Sequence, residues 1–283
     1  MLVARTLAEA RAVFDALPRP IGFVPTMGAL HAGHLKLLRV AREKSASVSV
    51  SIFVNPLQFG ANEDFAKYPR DLEGDRRKLD DAHVDALFSP DVTAMYPSGF
   101  TTYVDVGRIG STFEGIVRPR HFRGVATVVA KLLHVVRPDI LFLGQKDAQQ
   151  AWVLRKMITD LEFPVSVEIV PTIRERDGLA MSSRNAYLSA EQRAQAPSLY
   201  RALLALRAAL ERGIAKAEAS AVARSTLSEL ATPDYFDVVD ADTFEPIERL
   251  TLPAFVIGAA RFGSTRLIDN LYLPHKHVEM QAS

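Results

Sequence analysis

Two histidines three residues apart, in the run Pro25-Thr26-Met27-Gly28-Ala29-Leu30-His31-Ala32-Gly33-His34, are the most informative feature of this chain. The run follows a short apolar segment, 21–26, and opens a segment with helical spacing, 34–44. It therefore reads as the turn at the carboxyl end of a parallel strand, where α/β folds place their ligands. The helix start would present unpaired N–H groups and a partial positive charge, both suited to phosphate. Gly33 would let the backbone approach a ligand closely. Two imidazoles there would donate hydrogen bonds to phosphate oxygens as negative charge accumulates. The bland alternative is a pair of internally satisfied loop histidines, and the strand–turn–helix setting counts against it.

Four more runs carry usable chemistry. Asn55 and Gln58, in Phe53-Val54-Asn55-Pro56-Leu57-Gln58-Phe59-Gly60, follow the next strand-like segment and would hydrogen-bond a small polar substrate. Asn-Pro is also ordinary turn chemistry. Gly144-Gln145-Lys146-Asp147-Ala148-Gln149-Gln150 again ends a strand and enters a helix; Lys146 offers a point charge for phosphate, or is a solvated lysine beside an N-cap. Met181-Ser182-Ser183-Arg184-Asn185 places two hydroxyls and a guanidinium on one loop, either a phosphate clamp or a polar surface loop. Arg118, Arg120 and Arg123 flank His121 in a basic loop that would hold an anion or be solvated.

Other chemistries fail on inspection. No two glycines lie two residues apart, so a dinucleotide-binding glycine turn is absent. Gly28 and Gly33, like Gly258 and Gly263, have the P-loop spacing, but His34-Leu35 and Ser264-Thr265 stand where the lysine is needed. There is no zinc-protease helix and no nucleophile elbow. His275 and His277 lie in a polar tail and read as solvated. With no cysteine, disulfides, thiolate metal sites and a cysteine nucleophile are excluded.

The 283 residues carry 34 basic and 33 acidic side chains, a net charge of +1, which argues against a nucleic-acid-coating protein. Apolar residues at 48% and charged residues at 24% are ordinary globular values. No apolar run approaches the roughly 20 residues needed to span a bilayer, and the first 20 residues have no uninterrupted secretory core. A soluble, cytoplasmic protein is expected.

The elements that must position these residues alternate. Strands are expected at 21–26, 48–54, 85–88, 140–143 (ended by Gly144) and 165–170, and helices at 34–44, 71–82, 125–136 and 147–160. In 125–136 the valines and leucines recur at i, i+3, i+4, i+7, one helical face ended by Arg137-Pro138. Such alternation implies a parallel sheet covered by helices. Past about 172 come a Ser189-to-Gln192 capping box, helices at 197–212 and 216–230, and strands near 235–239, 254–260 and 265–271. That pattern gives a smaller α+β domain, with domains expected at 1–173 and 174–283.

Together the motifs closely resemble the pantoate–β-alanine ligases. The resemblance also rests on Tyr68-Pro69-Arg70, His121-Phe122-Arg123-Gly124 and Thr265-Arg266-Leu267-Ile268-Asp269-Asn270, and it covers nearly the whole chain. It implies a Rossmann-like nucleotidylyltransferase domain with a small C-terminal lid, a homodimer, and magnesium accompanying ATP. It implies adenylation of pantoate and then displacement of AMP by β-alanine. On this resemblance Met27, Gly28, Ala29, Leu30, His31, Ala32, Gly33 and His34 would cradle ATP, with His34 catalytic and His31 assisting at the phosphates. Gly144, Gln145, Lys146 and Asp147 would hold the nucleotide, Lys146 on phosphate, and Ile173 would give adenine a backbone contact. Met181, Ser182, Ser183 and Arg184 correspond to the family's mobile loop, and Gln58 and Gln150 would bind pantoate, Gln58 beside the β-alanine path. Gln145 departs from the family's usual glutamate, so local charge is expected to change. Magnesium-assisting acids map only loosely onto Glu73 or Asp75, and the metal ligands stay unassigned.

Two other readings stay open. A related H-x-G-H nucleotidylyltransferase acting on another small acceptor would have no reason to carry Gln58 and Gln150. A nucleotide-sensing or RNA-binding relative is opposed by the net charge. On the ligase reading the cleft is basic, with Lys146, Arg184 and Arg118 facing anions, and the acids lie elsewhere, as on 71–85.

Overall fold

The computed structural model describes residues 1–60 and 65–275, which fall into two compact units, Met1–Ile173 and Arg174–Ser283. His277 lies outside the described residues, and His275 is exposed.

The first unit has six strands: β1 (Leu2–Ala4), β2 (Ile21–Thr26), β3 (Ser47–Ile52), β4 (Ala86–Phe88), β5 (Ile140–Gly144) and β6 (Ser166–Val170). Its helices are α1 (Leu7–Asp15), α2 (Ala32–Lys44), α3 (Leu72–Asp81), the short α4 (Val92–Met95) and α5 (Glu114–Val117), then α6 (His121–Val136) and α7 (Ala148–Asp160). The strands form one all-parallel sheet in the order β1-β4-β3-β2-β5-β6. Chain order reverses between β2 and β5, which makes the carboxyl ends of these strands a topological switch point.

Side-chain alternation along the strands explains why both faces are covered. Phe23, Phe88, Leu141 and Leu143 enter a core with α1, α6 and α7. Their neighbours Val24, Leu87 and Phe142 enter a second core with Leu37, Leu38 and Ala41 of α2 and Leu79 of α3. Each fully buried leucine or phenylalanine contributes about 1.5–3 kcal/mol.

Helix α6 departs from the single apolar face expected. His121, Phe122 and Thr127 are buried along with the valine and leucine stripe. The reason is a second covering: Val104 and Val106 pack on the same core, and the Val104 N–H donates to Thr127 Oγ1 at 3.0 Å. β1 and α1 are further elements the periodicity did not reveal. Helix α1 begins with a capping box, in which the Glu9 N–H donates to Thr6 Oγ1 at 3.2 Å and the Thr6 N–H to Glu9 Oε2 at 3.2 Å.

The second unit packs α8 (Ala190–Gln195), α9 (Ser198–Glu211) and α10 (Lys216–Thr226) with an antiparallel sheet of β7 (Ala231–Asp240), β8 (Ala254–Phe262) and β9 (Thr265–Leu273). Leu199, Leu203 and Leu206 of α9 share a core with Phe236, Val256 and Phe262 of the sheet. The expected Ser189 cap is present, its hydroxyl accepting from the Gln192 N–H at 3.2 Å.

Candidate active site

The turn after β2 is built by its own residues. Thr26 Oγ1 donates to the Ser51 carbonyl at 2.8 Å and accepts the Gly28 N–H at 3.1 Å. Gly28 and Ala29 then both adopt left-handed conformations, with φ of 81° and 52°. The Ala29 and Leu30 N–H groups point not outward but to the buried carboxylate of Asp75 on α3, at 2.7 and 2.8 Å. Phosphate contacts from this turn therefore fall to other groups.

Those groups are the histidines. His31 is the N-cap of α2 and His34 its third residue, and they cap the helix reciprocally. The Gly33 N–H donates to His31 Nδ1 at 3.1 Å, and the His31 N–H donates to His34 Nδ1 at 3.3 Å. A ring nitrogen that accepts carries no proton, so each imidazole is the neutral Nε2–H tautomer and keeps one N–H donor. The rings sit 4.2 Å apart, inclined at 45°. Burial drives the His34 imidazolium down to about 3, helped by the adjacent His31 ring and by Lys78 and Lys146, with Asp147 opposing. Burial first, then Lys146, also lowers His31. Gly33 has a role beyond the one expected: a Cβ there would lie 2.8 Å from His31 Cε1, so glycine makes room for the capping ring itself.

The turn after β3 holds Gln58. Asn55, 1% exposed, was expected to meet substrate, but its amide is consumed internally. Its Nδ2 donates to Gln58 Oε1 at 3.0 Å and to the Gly124 carbonyl at 3.1 Å. Its Oδ1 accepts from the Leu57 N–H at 3.2 Å and from Tyr96 Oη at 2.8 Å. With two donors and two acceptor sites used, Asn55 orients Gln58 and has nothing left for a ligand. Gln58 Nε2 faces Met27 Sδ at 3.1 Å, which ties this turn to the first. The Gln58 carbonyl lies 2.8 Å from His121 Nδ1 and accepts from Arg118 Nη2 at 3.2 Å. Arg118 Nη1 lies 3.1 Å from His121 Nε2. Arg123 stacks over Tyr103, 4.1 Å from the ring centre.

The third turn follows β5. Residues Gln145–Asp147 form one 3-10 turn before α7, with Gly144 at its start. Asp147 is the N-cap of α7 by position, but its side chain makes no capping bond; Lys146 Nζ lies 3.5 Å from its carboxylate. Gln150 is half-buried on the first turn of α7, and Ile173 is half-buried past β6. Because β3, β2 and β5 are consecutive in the sheet, the three turns stand side by side at the carboxyl ends of their strands.

Met181, Ser182, Ser183 and Arg184 belong to the second unit and are half-buried. Ser182 Oγ accepts the Arg184 N–H at 3.2 Å, and Asn185 Nδ2 donates to the Ala180 carbonyl at 3.1 Å. Among the described residues, no group of three or more His, Asp or Glu side chains is placed to hold a metal ion.

Sequence reasoning missed Lys78 and the Thr26 anchor, and it met Asp75 only as a loose match to a magnesium-assisting acid, not as a partner of the histidine turn. The acids of α3 were expected away from the basic cleft, yet Asp75 grips the histidine turn. Their one local trace is the three-residue spacing of Asp75 and Lys78, which puts both on one helix face.

The model of the family described as pantoate-beta-alanine ligase matches residues 2–272. The pantothenate synthetase of Thermus thermophilus is 52% identical over 275 residues, covering 96% of this chain and 99% of that one. That of Chloroflexus aurantiacus is 53% identical over 283 residues, covering 96% and 98%. The crystal structure of the Thermus thermophilus protein superposes with a TM-score of 0.91 at 51% identity, covering 96% of this chain and 99% of that chain. A Francisella tularensis pantoate-beta-alanine ligase complexed with beta-gamma ATP and beta-alanine superposes with a TM-score of 0.81 at 33% identity, covering 96% and 97%.

Proposed function

The chain belongs to the pantoate–β-alanine ligase family, and from that premise we propose how its residues carry the reaction. It joins pantoate to β-alanine with ATP as co-substrate. A pantoate carboxylate oxygen attacks the α-phosphorus, the bond to the β-phosphate breaks, and pyrophosphate leaves. The β-alanine amine then attacks the carbonyl carbon of pantoyl adenylate, the bond to AMP breaks, and the amine loses a proton.

The observation that carries the residue assignment is the reciprocal cap of His31 and His34. It fixes two neutral imidazoles with their Nε2–H donors at the start of α2, at the switch point of the sheet. Neutral donors suit this step. They bond the developing charge on the phosphates without needing a proton from solvent, and they keep no positive charge to bind pyrophosphate after it leaves. Lys146 supplies the mobile positive charge on the same side. Met27 to Gly33, Gly144 to Asp147 and the Ile173 backbone hold the nucleotide; Gln58 and Gln150 hold pantoate. On the family resemblance Ser182 and Ser183 would offer hydroxyls and Arg184 a guanidinium to phosphate, with Met181 beside them in the same loop. Magnesium would accompany ATP and supply positive charge at its phosphates. The working form is a cytoplasmic homodimer.

Exchange of labelled pyrophosphate into ATP tests the assignment. It is expected only when pantoate is present, with β-alanine then converting the adenylate to product. Exchange that ignores pantoate would point to a different acceptor.

A further inference from the structure

We propose that Asp75 and Lys78 of α3 are positioning residues for nucleotide activation, because together they set the turn that carries His31 and His34. The proposal rests on the reading of residues 27–34 as the nucleotide turn. Asp75 is 1% exposed, and its two carboxylate oxygens take the Ala29 and Leu30 N–H groups at 2.7 and 2.8 Å. One helical turn on, Lys78 Nζ donates to the Leu30 carbonyl at 2.8 Å and lies 3.5 Å from Asp75 Oδ1. Leu30 is thus held at both its N–H and its carbonyl by one face of one helix, and the next residue is His31.

The turn needs such a hold. Gly28 and Ala29 are consecutive left-handed residues, a conformation that Ala29 does not favour by itself. Successive N–H groups in such a turn form a concave anion site. Here an internal carboxylate fills it, so the site fixes the backbone and leaves phosphate to the imidazoles. A Cβ at Gly28 would lie 3.0 Å from Asp75 Oδ2, so the glycine is fitted to the clamp as well. Lys78 offsets the Asp75 charge beneath a turn meant for an anion, and its field reaches both histidines.

The test compares wild type with Asp75→Ala, Asp75→Asn and Lys78→Met. It reads amide exchange at Ala29 and Leu30 by NMR, pantoate-dependent pyrophosphate exchange, and the KM values for ATP and β-alanine. In Asp75→Ala both amides should lose protection, and pyrophosphate exchange per folded molecule should fall by about 100-fold, as a small misplacement of reacting groups does. The KM for β-alanine and the magnesium concentration at half-activity should hold. Asp75→Asn, which keeps one accepting oxygen, should recover part of the loss. Should Asp75→Ala not fold, Lys78→Met carries the test, with a several-fold rise in the KM for ATP expected. Lost amide protection with exchange rates like wild type overturns the proposal, as does a loss that added magnesium reverses, which would make Asp75 a metal ligand. Wild-type exchange that is indifferent to pantoate defeats the underlying reading instead, while amide protection still reports on the clamp.

Discussion

Asn55 Nδ2 donates to Gln58 Oε1 at 3.0 Å, and this bond decides which end of the Gln58 amide faces the first turn. Gln58 Nε2 is thereby left toward Met27. Asn55→Asp is nearly the same shape but replaces the donor by an acceptor facing two more acceptors, Gln58 Oε1 and the Gly124 carbonyl. Unpaired buried groups cost about 1–3 kcal/mol each. The variant should melt lower, and its KM for pantoate should rise more than its KM for ATP. Equal effects on both substrates would remove Gln58 orientation from the account.

The neutral state of the histidines has a pH consequence. His34 is held down to about 3 against an ordinary value of 6.5. The unfolded chain therefore binds a proton between these values that the folded chain refuses, and stability from this group falls as pH drops through that window. It is fully present above about pH 6.5. Melting temperature followed from pH 7.5 to pH 5 should fall less in His34→Gln than in wild type. Imidazole nitrogen shifts should show Nε2–H tautomers at both residues and no titration of His34 down to pH 5. An Nδ1–H tautomer at either residue would break the capping scheme.

Gly124 sits where α6 meets the Gln58 turn. A Cβ there would lie 2.2 Å from the Leu57 carbonyl oxygen and 2.7 Å from the Gln58 nitrogen, both backbone atoms that cannot swing away. Gly124→Ala should therefore displace the turn, lowering stability by about 1–3 kcal/mol. It should also raise the KM for pantoate. Unchanged thermal melting would show that the turn moves at little cost.

Much of the fold and part of the site were legible in the sequence, because they are written locally. The strand 21–26, the histidine run and the start of α2 are contiguous, and glycine and proline mark their ends. Neither β1 nor α1 was read from the sequence: β1 is three residues long, too short for periodicity to register, and the only local sign of α1 is its Thr6-to-Glu9 cap. Asp75 and Leu30 are 45 residues apart, and His121 and Gln58 are 63 apart. Contacts at that separation depend on how the helices pack on the sheet, and no local spacing encodes them. The same holds for Asn55: residue type announces an amide, but not whether its bonds are spent inside the protein.

The most direct test of the histidine pair is adenylate formation in a single turnover by His34→Gln. Glutamine at the third helical position can still accept the His31 N–H, so the cap and the fold should survive. What is lost is the imidazole Nε2–H: glutamine carries amide N–H donors of its own, but with Oε1 turned to the His31 N–H they no longer stand where the ring nitrogen stood, and the rate of pantoyl adenylate formation should fall by about 100- to 1,000-fold. A folded His34→Gln protein that forms adenylate at the wild-type rate would contradict the account.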